Sequence, residues 1–401
     1  MKTPLLYSEK KDCCGCRACM NACPMSAITM EMDEYGFYYP IINEETCIGC
    51  NKCVKTCSFQ TKEETNEPID SYAAVCKQDE VLKKSASGGV FATLANYIIS
   101  EKKGLVCGAA YDEEWNVNHI LIDNLENLSK LQGSKYVQSN TNTTYKDVKT
   151  ALDEGRVVLY SGTPCQIAGL NGYLGKQYEN LWTVDLVCHG VPSGKMLKDY
   201  VEVLQKQNNG KVVDFNFRDK TKGWGINGSC VIQKGSEKKK KDLWQSASSY
   251  LYYFSNAYIY RDSCYSCKYA SKNRPADLTI GDFWGIERVH PELLKKREWD
   301  EKKGISLIVA NTEKGKDLIA DVSDKFVLEK STFENVALYN HQLREPSSKK
   351  LDNVIMDLYE KEGWESVDER FHKVMGFRKH TSKIKSLIPN KLKTMLKKLK
   401  K

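Results

Sequence analysis

The chain has 401 residues, 41% of them hydrophobic, which is enough to fill two or three cored domains and excludes a disulfide-stapled miniprotein. Its formal charge of +8 is local: residues 370 to 401 carry 12 Lys and Arg and no acid, leaving 48 basic against 52 acidic residues elsewhere, a net −4. The body thus lacks the basic footprint of a nucleic-acid partner, and no run reaches the roughly 18 to 20 apolar residues that span a bilayer.

Sixteen cysteines follow a start, "MKTPLLYSEKKDC", with no apolar leader. That combination predicts a cytoplasmic, reducing setting in which thiols bind metal rather than cross-link. The first unit, residues 1–60, holds "CCGCRACMNACP" and "CIGCNKCVKTCS". Cys13, Cys16, Cys19 and Cys23 follow the C-x2-C-x2-C-x3-C-P spacing of bacterial dicluster ferredoxins, and Cys47, Cys50, Cys53 and Cys57 repeat it with Ser58 in place of proline. Three thiolates on one short loop cap three corners of a cubane, and the fourth points to its neighbour. The expected sets are therefore Cys13, Cys16, Cys19 and Cys57 for one [4Fe-4S] cluster, and Cys47, Cys50, Cys53 and Cys23 for the other. Zinc motifs use two C-x2-C pairs per ion rather than twin four-cysteine runs. "ITMEMDEYGFYYPII" reads as the intervening hairpin, and Cys14 as a spare thiol.

Residues 61–70 are polar and read as a linker. In 71–150, "SYAAVC" reads as a strand, "SASGGVFATLANYIIS" as a turn entering a helix and "GLVCGAAYD" as a strand, an α/β layer. A second such unit opens 151–340: strand "RVVLYS", turn and helix "GTPCQIAGLNGYLG", strand "NLWTVDLVC". Cys165 and Cys188 then lie just past the carboxyl ends of parallel strands, where open α/β sheets place ligands. "KVVDFNFRD" and "INGSCVIQKG" read as antiparallel strands and "ADLTIGDFWG" as another, and beyond about residue 320 the pattern is helical and charged. Cys76, Cys107 and Cys230 fall in apolar strands and read as core.

Cys165, Cys188, Cys264 and Cys267 form a second four-thiol set. Three readings stand on spacing alone: a third cubane, with a helix start at Cys165 expected to lower its pKa and favour the thiolate, a lone nucleophile at Cys165, or buried small side chains. His189 is a neighbour of that set, either hydrogen-bonded there or relaying a proton. Arg218, Lys220 and Lys222 read as a solvated turn or as receivers of an acidic substrate.

The order "SASGGVF", "QGSKYVQS", "YSGTPCQIAGL", "VDLVCHGVPS", "NFRDKTKGW", "SCYSCKYA" and "ADLTIGDFWG" resembles the beta-subunit family of coenzyme F-420 (deazaflavin) hydrogenases and dehydrogenases, in the form with an N-terminal dicluster ferredoxin unit. The resemblance spans about residues 1–340. It implies FAD beside an iron-sulfur cluster, a third [4Fe-4S] cluster on Cys165, Cys188, Cys264 and Cys267, and a flavin lined by Ser85, Ser87, Gly88, Gly89, Gly133, Ser134, Lys135, Thr163 and Pro164. Helix-start amides at Gly88 and Gly89 suit a pyrophosphate, although such a glycine turn is also an ordinary way to begin a helix. The expected fold is a ferredoxin-like domain followed by an α/β flavin-binding body with a mixed sheet and a helical, Lys-rich tail at 341–401.

The function expected from this is an iron-sulfur flavoprotein oxidoreductase, drawing on a redox partner or ferredoxin and acting on the deazaflavin coenzyme or another small organic molecule. The rival is a non-catalytic electron adaptor, distinguished by the absence of bound flavin. Residues 383–401 place apolar side chains at helical spacing among lysines, which fits peripheral contact with an anionic membrane face or a solvated end.

Overall fold

Two short helices repeat the symmetry of the cysteine runs: α1 (Ala18–Ala22) and α2 (Lys52–Thr56). Each follows a left-handed residue, Arg17 (φ 64°) or Asn51 (φ 57°), and ends at the fourth cysteine of its run, Cys23 or Cys57. Gly15 and Gly49 take φ of 68° and 65°, conformations open to glycine at little steric cost. Strands β1 (Ile28–Met32) and β2 (Tyr38–Ile42) pair as the expected antiparallel hairpin. The computed structural model describes residues 3–61, 64–350 and 353–376.

The body is built on a mixed sheet of eight strands: β3 (Asp70–Cys76), β4 (Leu105–Tyr111), β5 (Val117–Ile122), β6 (Val158–Gly162), β7 (Leu181–Leu186), β11 (Leu278–Asp282), β12 (Ser306–Ala310) and β13 (Phe326–Ser331), in the order β13-β3-β12-β11-β7-β6-β4-β5. The central β4, β6, β7 and β11 run parallel. The flanking strands are antiparallel. Both faces are covered, so alternate residues of one strand feed different cores: Leu159 packs with Leu94, Ile98 and Val184, while Val158 and Tyr160 pack with Tyr145, Ile167 and Leu170. Helix α3 (Val90–Ser100) lies on the first face, α4 (Thr144–Asp153) and α5 (Pro164–Leu174) on the second.

A three-stranded antiparallel sheet, β8 (Lys211–Asn216), β9 (Asn227–Lys234) and β10 (Glu237–Trp244), adjoins an aromatic core of Tyr200, Phe215, Phe217, Tyr250 and Trp364. Each large apolar side chain buried there contributes about 1.5–3 kcal/mol. Trp364 comes from the helix Val354–Met375, which bends at Gly363.

Two expectations need correction or bounding. The region beyond residue 320 is not wholly helical, because β13 pairs antiparallel with β3 at the sheet edge, where Glu329 and Lys330 reach solvent and mimic a charged helix face. The basic segment 383–401 lies outside the described residues. Among those described, no helix is long and apolar enough to cross a membrane.

Candidate functional site

The crossover of the N-terminal thiols is visible in the geometry. Cys13, Cys16, Cys19 and Cys57 line one small cavity, and Cys23, Cys47, Cys50 and Cys53 line another. Backbone amides donate to the sulfurs: Ala18 to Cys16, Met20 to Cys19, Ala27 to Cys23 at 3.3 Å, Val54 to Cys53, and Phe59 and Gln60 to Cys57. N–H···S bonds of this kind stabilise thiolate and set the potential of an iron-sulfur cluster. Among the described residues no three Cys, His, Asp or Glu side chains close on a single ion. Four thiols around each cavity, with amide donors on their sulfurs, are a donor set that fits an iron-sulfur cluster.

Helix α5 joins this unit to the sheet. Thr163 caps it in a reciprocal box with Gln166, and Pro164 occupies its first turn. A Cβ at Gly169 would lie 2.8 Å from Cys16 Sγ, and one at Gly172 2.3 Å from the Thr56 carbonyl. Glycine at these two positions, three apart on one helix face, lets the N-terminal unit seat directly on α5. Cys165, at the start of the same helix, meets the buried Cys14, which also contacts Cys16. The thiol read as spare from the sequence therefore stands between the two sets.

The second set converges as well. Burial, then the thiols of Cys188, Cys165 and Cys267, push the Cys264 thiol up. Burial with Cys165 and Cys267 raises Cys188 to about 12, and burial with Cys165 raises Cys267 to about 11. Amides of Gly190, Val191 and Tyr269 donate to Cys188, Cys264 and Cys267, and Thr163 Oγ1 lies 3.2 Å from Cys165 Sγ. The expectation of a lowered Cys165 pKa is corrected: its contact with Cys14, and burial, push the thiol up, outweighing the helix start. A metal bound by these thiols would have to displace their protons.

Beside it, at the carboxyl edge of the parallel strands, lies a cavity of about 310 Å³. Ser85, Ser87, Gly89, Gly133, Ser134, Lys135, Thr163, Cys188 and His189 line it, at the N-terminus of α3. Gly88 and Pro164 do not. The Gly88 amide is not free, since it donates to Ser306 Oγ at 2.9 Å, and its glycine identity serves close packing, with a Cβ placed 2.3 Å from the Ala74 carbonyl. Pro164 is buried within α5. Lys135 Nζ donates to the Lys130 and Gln132 carbonyls at 2.9 Å, and burial pulls its pKa down to about 7. His189 Nδ1 accepts from Gln342 Nε2 at 2.7 Å, which leaves the proton on Nε2.

The turn at Arg218 is not solvated. Arg218 is 3% exposed and ion-paired with Asp282 at 2.6 Å, Lys220 Nζ donates to the carbonyls of Leu82, Ser87 and Lys303, and Lys222 is exposed. Arg218 Nε lies buried on the cavity wall with no partner among the described residues.

Sequence reasoning missed His119, on β5, because a single polar residue in an apolar strand carries no local signal. Its Nε2 donates to the Ser161 carbonyl at 3.0 Å, so Nδ1, buried at the cavity and unpartnered among the described residues, is left as an acceptor. Burial lowers its pKa from 6.5 to about 4. The unfolded chain then takes up this proton first, so the associated stability, about 3 kcal/mol, is present above pH 6.5 and lost as pH falls toward 4. We expect His119→Gln to flatten the loss of denaturant stability over that window by about one proton. Equal slopes for the two proteins would refute the assignment.

Comparison with known families follows the same division of the chain. Residues 12–61 match "4Fe-4S dicluster domain". Residues 71–145 match "Coenzyme F420 hydrogenase/dehydrogenase, beta subunit N-term", and residues 155–336 match the C terminus of that same beta subunit. The chain belongs to the coenzyme F420 hydrogenase/dehydrogenase beta-subunit family. As a member, it is an iron-sulfur, oxidoreductase-type subunit with a dicluster module ahead of the beta-subunit body. A solved chain of the F420-reducing [NiFe] hydrogenase complex from Methanosarcina barkeri is 18% identical, with a TM-score of 0.43 over 77% of this chain and 91% of that one. No curated protein matches the chain.

Within this beta-subunit body, strands from the two matched regions interleave in one sheet, with β3, β4 and β5 beside β6, β7, β11, β12 and β13. The cavity draws its wall from both regions: Gly89 and Lys135 from one, Thr163, Cys188 and Arg218 from the other.

Proposed function

We propose that the chain is an iron-sulfur flavoprotein oxidoreductase that passes electrons between a redox partner and a small organic hydride acceptor or donor, such as the deazaflavin coenzyme. The observation that carries this reading is the placement of Cys165, Cys188, Cys264 and Cys267 between the inner N-terminal thiols and the cavity, whose wall Cys188 shares. In this reading Cys13, Cys16, Cys19 and Cys57 hold an inner cluster and Cys23, Cys47, Cys50 and Cys53 an outer one. The sheet-edge set holds a third.

FAD, when bound, supplies the exchange between single electrons and a hydride that clusters cannot perform. The cavity residues suit it by chemistry. The unpaired amides at the start of α3, behind Gly89, favour a pyrophosphate, and His119 Nδ1 and Arg218 Nε offer one acceptor and one donor still unsatisfied. Ser134 and Thr163 add hydroxyls. His189, held by Gln342 and kept neutral by burial, which lowers its pKa to about 4, can donate a hydrogen bond from Nε2 to a group in the cavity. Near the outer set, Leu5, Met25 and Ile48 are exposed and Cys50 reaches the surface, which suits electron exchange with a protein partner.

Anaerobic purification with iron, sulfide and flavin analysis tests the reading. We expect about twelve iron atoms and one FAD per chain, and bleaching of the flavin by the reduced deazaflavin coenzyme if that is the substrate. A brown protein without flavin would support the electron adaptor instead.

A further inference from the structure

Arg261 is completely buried, three residues before Cys264. Its Nε donates to the Cys13 carbonyl at 2.7 Å, Nη2 to the Tyr38 carbonyl at 3.0 Å, and Nη1 to Gln138 Oε1 at 3.3 Å. The guanidinium lies over the rings of Tyr39 and Phe37, 4.1 and 5.6 Å from their centroids. A Cβ at Gly15 would sit 2.9 Å from Nη1, so glycine there lets the ligand loop close on the cation.

None of these partners is negatively charged. The two other deeply buried arginines of the body are ion-paired, Arg218 with Asp282 and Arg274 with Asp185. Among the described residues Arg261 has no carboxylate partner, and the adjacent Asp262 is bonded to Lys349. A buried unpaired cation is costly unless something supplies the counter-charge. The groups in reach that turn anionic on binding a cluster are the sulfurs of Cys13 and Cys264, one from the inner N-terminal set and one from the sheet-edge set.

We infer that Arg261 is the shared counter-charge of the two clusters it stands between, a positioning residue that makes both easier to reduce. Reduction adds one negative charge to a cluster, and a fixed cation in a poorly screened interior stabilises the more negative state. The inference rests on the cluster assignment proposed above.

The test is an EPR-monitored redox titration of the holoprotein. Arg261→Gln removes the charge. Gln138→Glu sets a carboxylate beside Nη1 with almost no change of shape, and Gln138→Leu is its uncharged control. We expect Arg261→Gln and Gln138→Glu to lower the one-electron reduction constants of both flanking clusters about tenfold, which is 59 mV. Arg261→Lys and Gln138→Leu should stay near the native values, and the outer cluster should not move in any variant. Loss of the flanking clusters in Arg261→Gln but not in Arg261→Lys also supports the role. Potentials in Gln138→Glu equal to those in Gln138→Leu, or one shift common to all three clusters, would overturn it. If iron analysis shows only two clusters in the native protein, the third-cluster reading fails, and the inner N-terminal potential still decides Arg261.

Discussion

On the function proposed above, Cys165→Ala should keep the N-terminal clusters and lose the proposed third one, with iron falling from about twelve to about eight atoms per chain. The substitution is mild for the fold. Thr163 still caps α5, and alanine is the best helix former at the vacated position. What disappears is the one sulfur that touches Cys14 on the ferredoxin side and belongs to the sheet-edge set on the other. Losing a residue that merely supports a metal ligand costs roughly 10- to 100-fold, so losing the ligand should slow flavin reduction by an iron-sulfur donor at least about 100-fold. Direct chemical reduction of the flavin should be unchanged, which separates a broken path from a lost cofactor. An undiminished rate from the donor would remove this thiol set from the electron path.

The contrast between Cys165 and Arg261 shows what a sequence of this kind discloses. Cysteine spacing is local, so the twin runs and the hairpin between them could be read directly, and Cys57 and Cys23 each line the cavity of the opposite run. Cys165 and Cys188 were also placed correctly past two parallel strands, because a β-branched run, a glycine turn and a helix recur within thirty residues. The partners of the cluster loops were not legible. Gln138 and Thr141 reach the carbonyls of Cys14 and Cys16 from more than 120 residues away, and no periodicity encodes such a bond. Charge misled in two places. The charged stretch beyond residue 320 looks helical yet contains the edge strand β13, and Arg218 looks like a solvated turn residue yet is buried against Asp282. In each case tertiary pairing overrode local composition.

Arg274→Met should be the most destabilising single change at the sheet edge. Arg274 is 1% exposed and Asp185 is fully buried, with Nη2 to Oδ1 at 2.8 Å and Nε shared between both carboxylate oxygens at 3.3 Å. The guanidinium also donates to the Leu186 carbonyl, just before Cys188, and to the Tyr269 carbonyl, just after Cys267. It therefore clamps the loops that carry Cys188 and Cys267 while neutralising a buried acid. Breaking such a pair by removing one partner costs about 3–5 kcal/mol, a large part of a stability of about 5–15 kcal/mol. Burial already raises the Asp185 pKa, and removing the cation leaves only the Thr279 hydroxyl against it, so the folded variant holds a proton that the unfolded chain releases. A raised folded pKa gives stability that is present at low pH and lost as pH rises, so the deficit of the variant should shrink on going from pH 8 to pH 5. Arg274→Met combined with Asp185→Leu should recover most of the denaturant stability, because an apolar pair removes the unpaired charge. It should not recover the proposed third cluster, since the Leu186 and Tyr269 carbonyls still lack their donor. Full iron content in the double variant would show that these loops hold their sulfurs in place without the clamp.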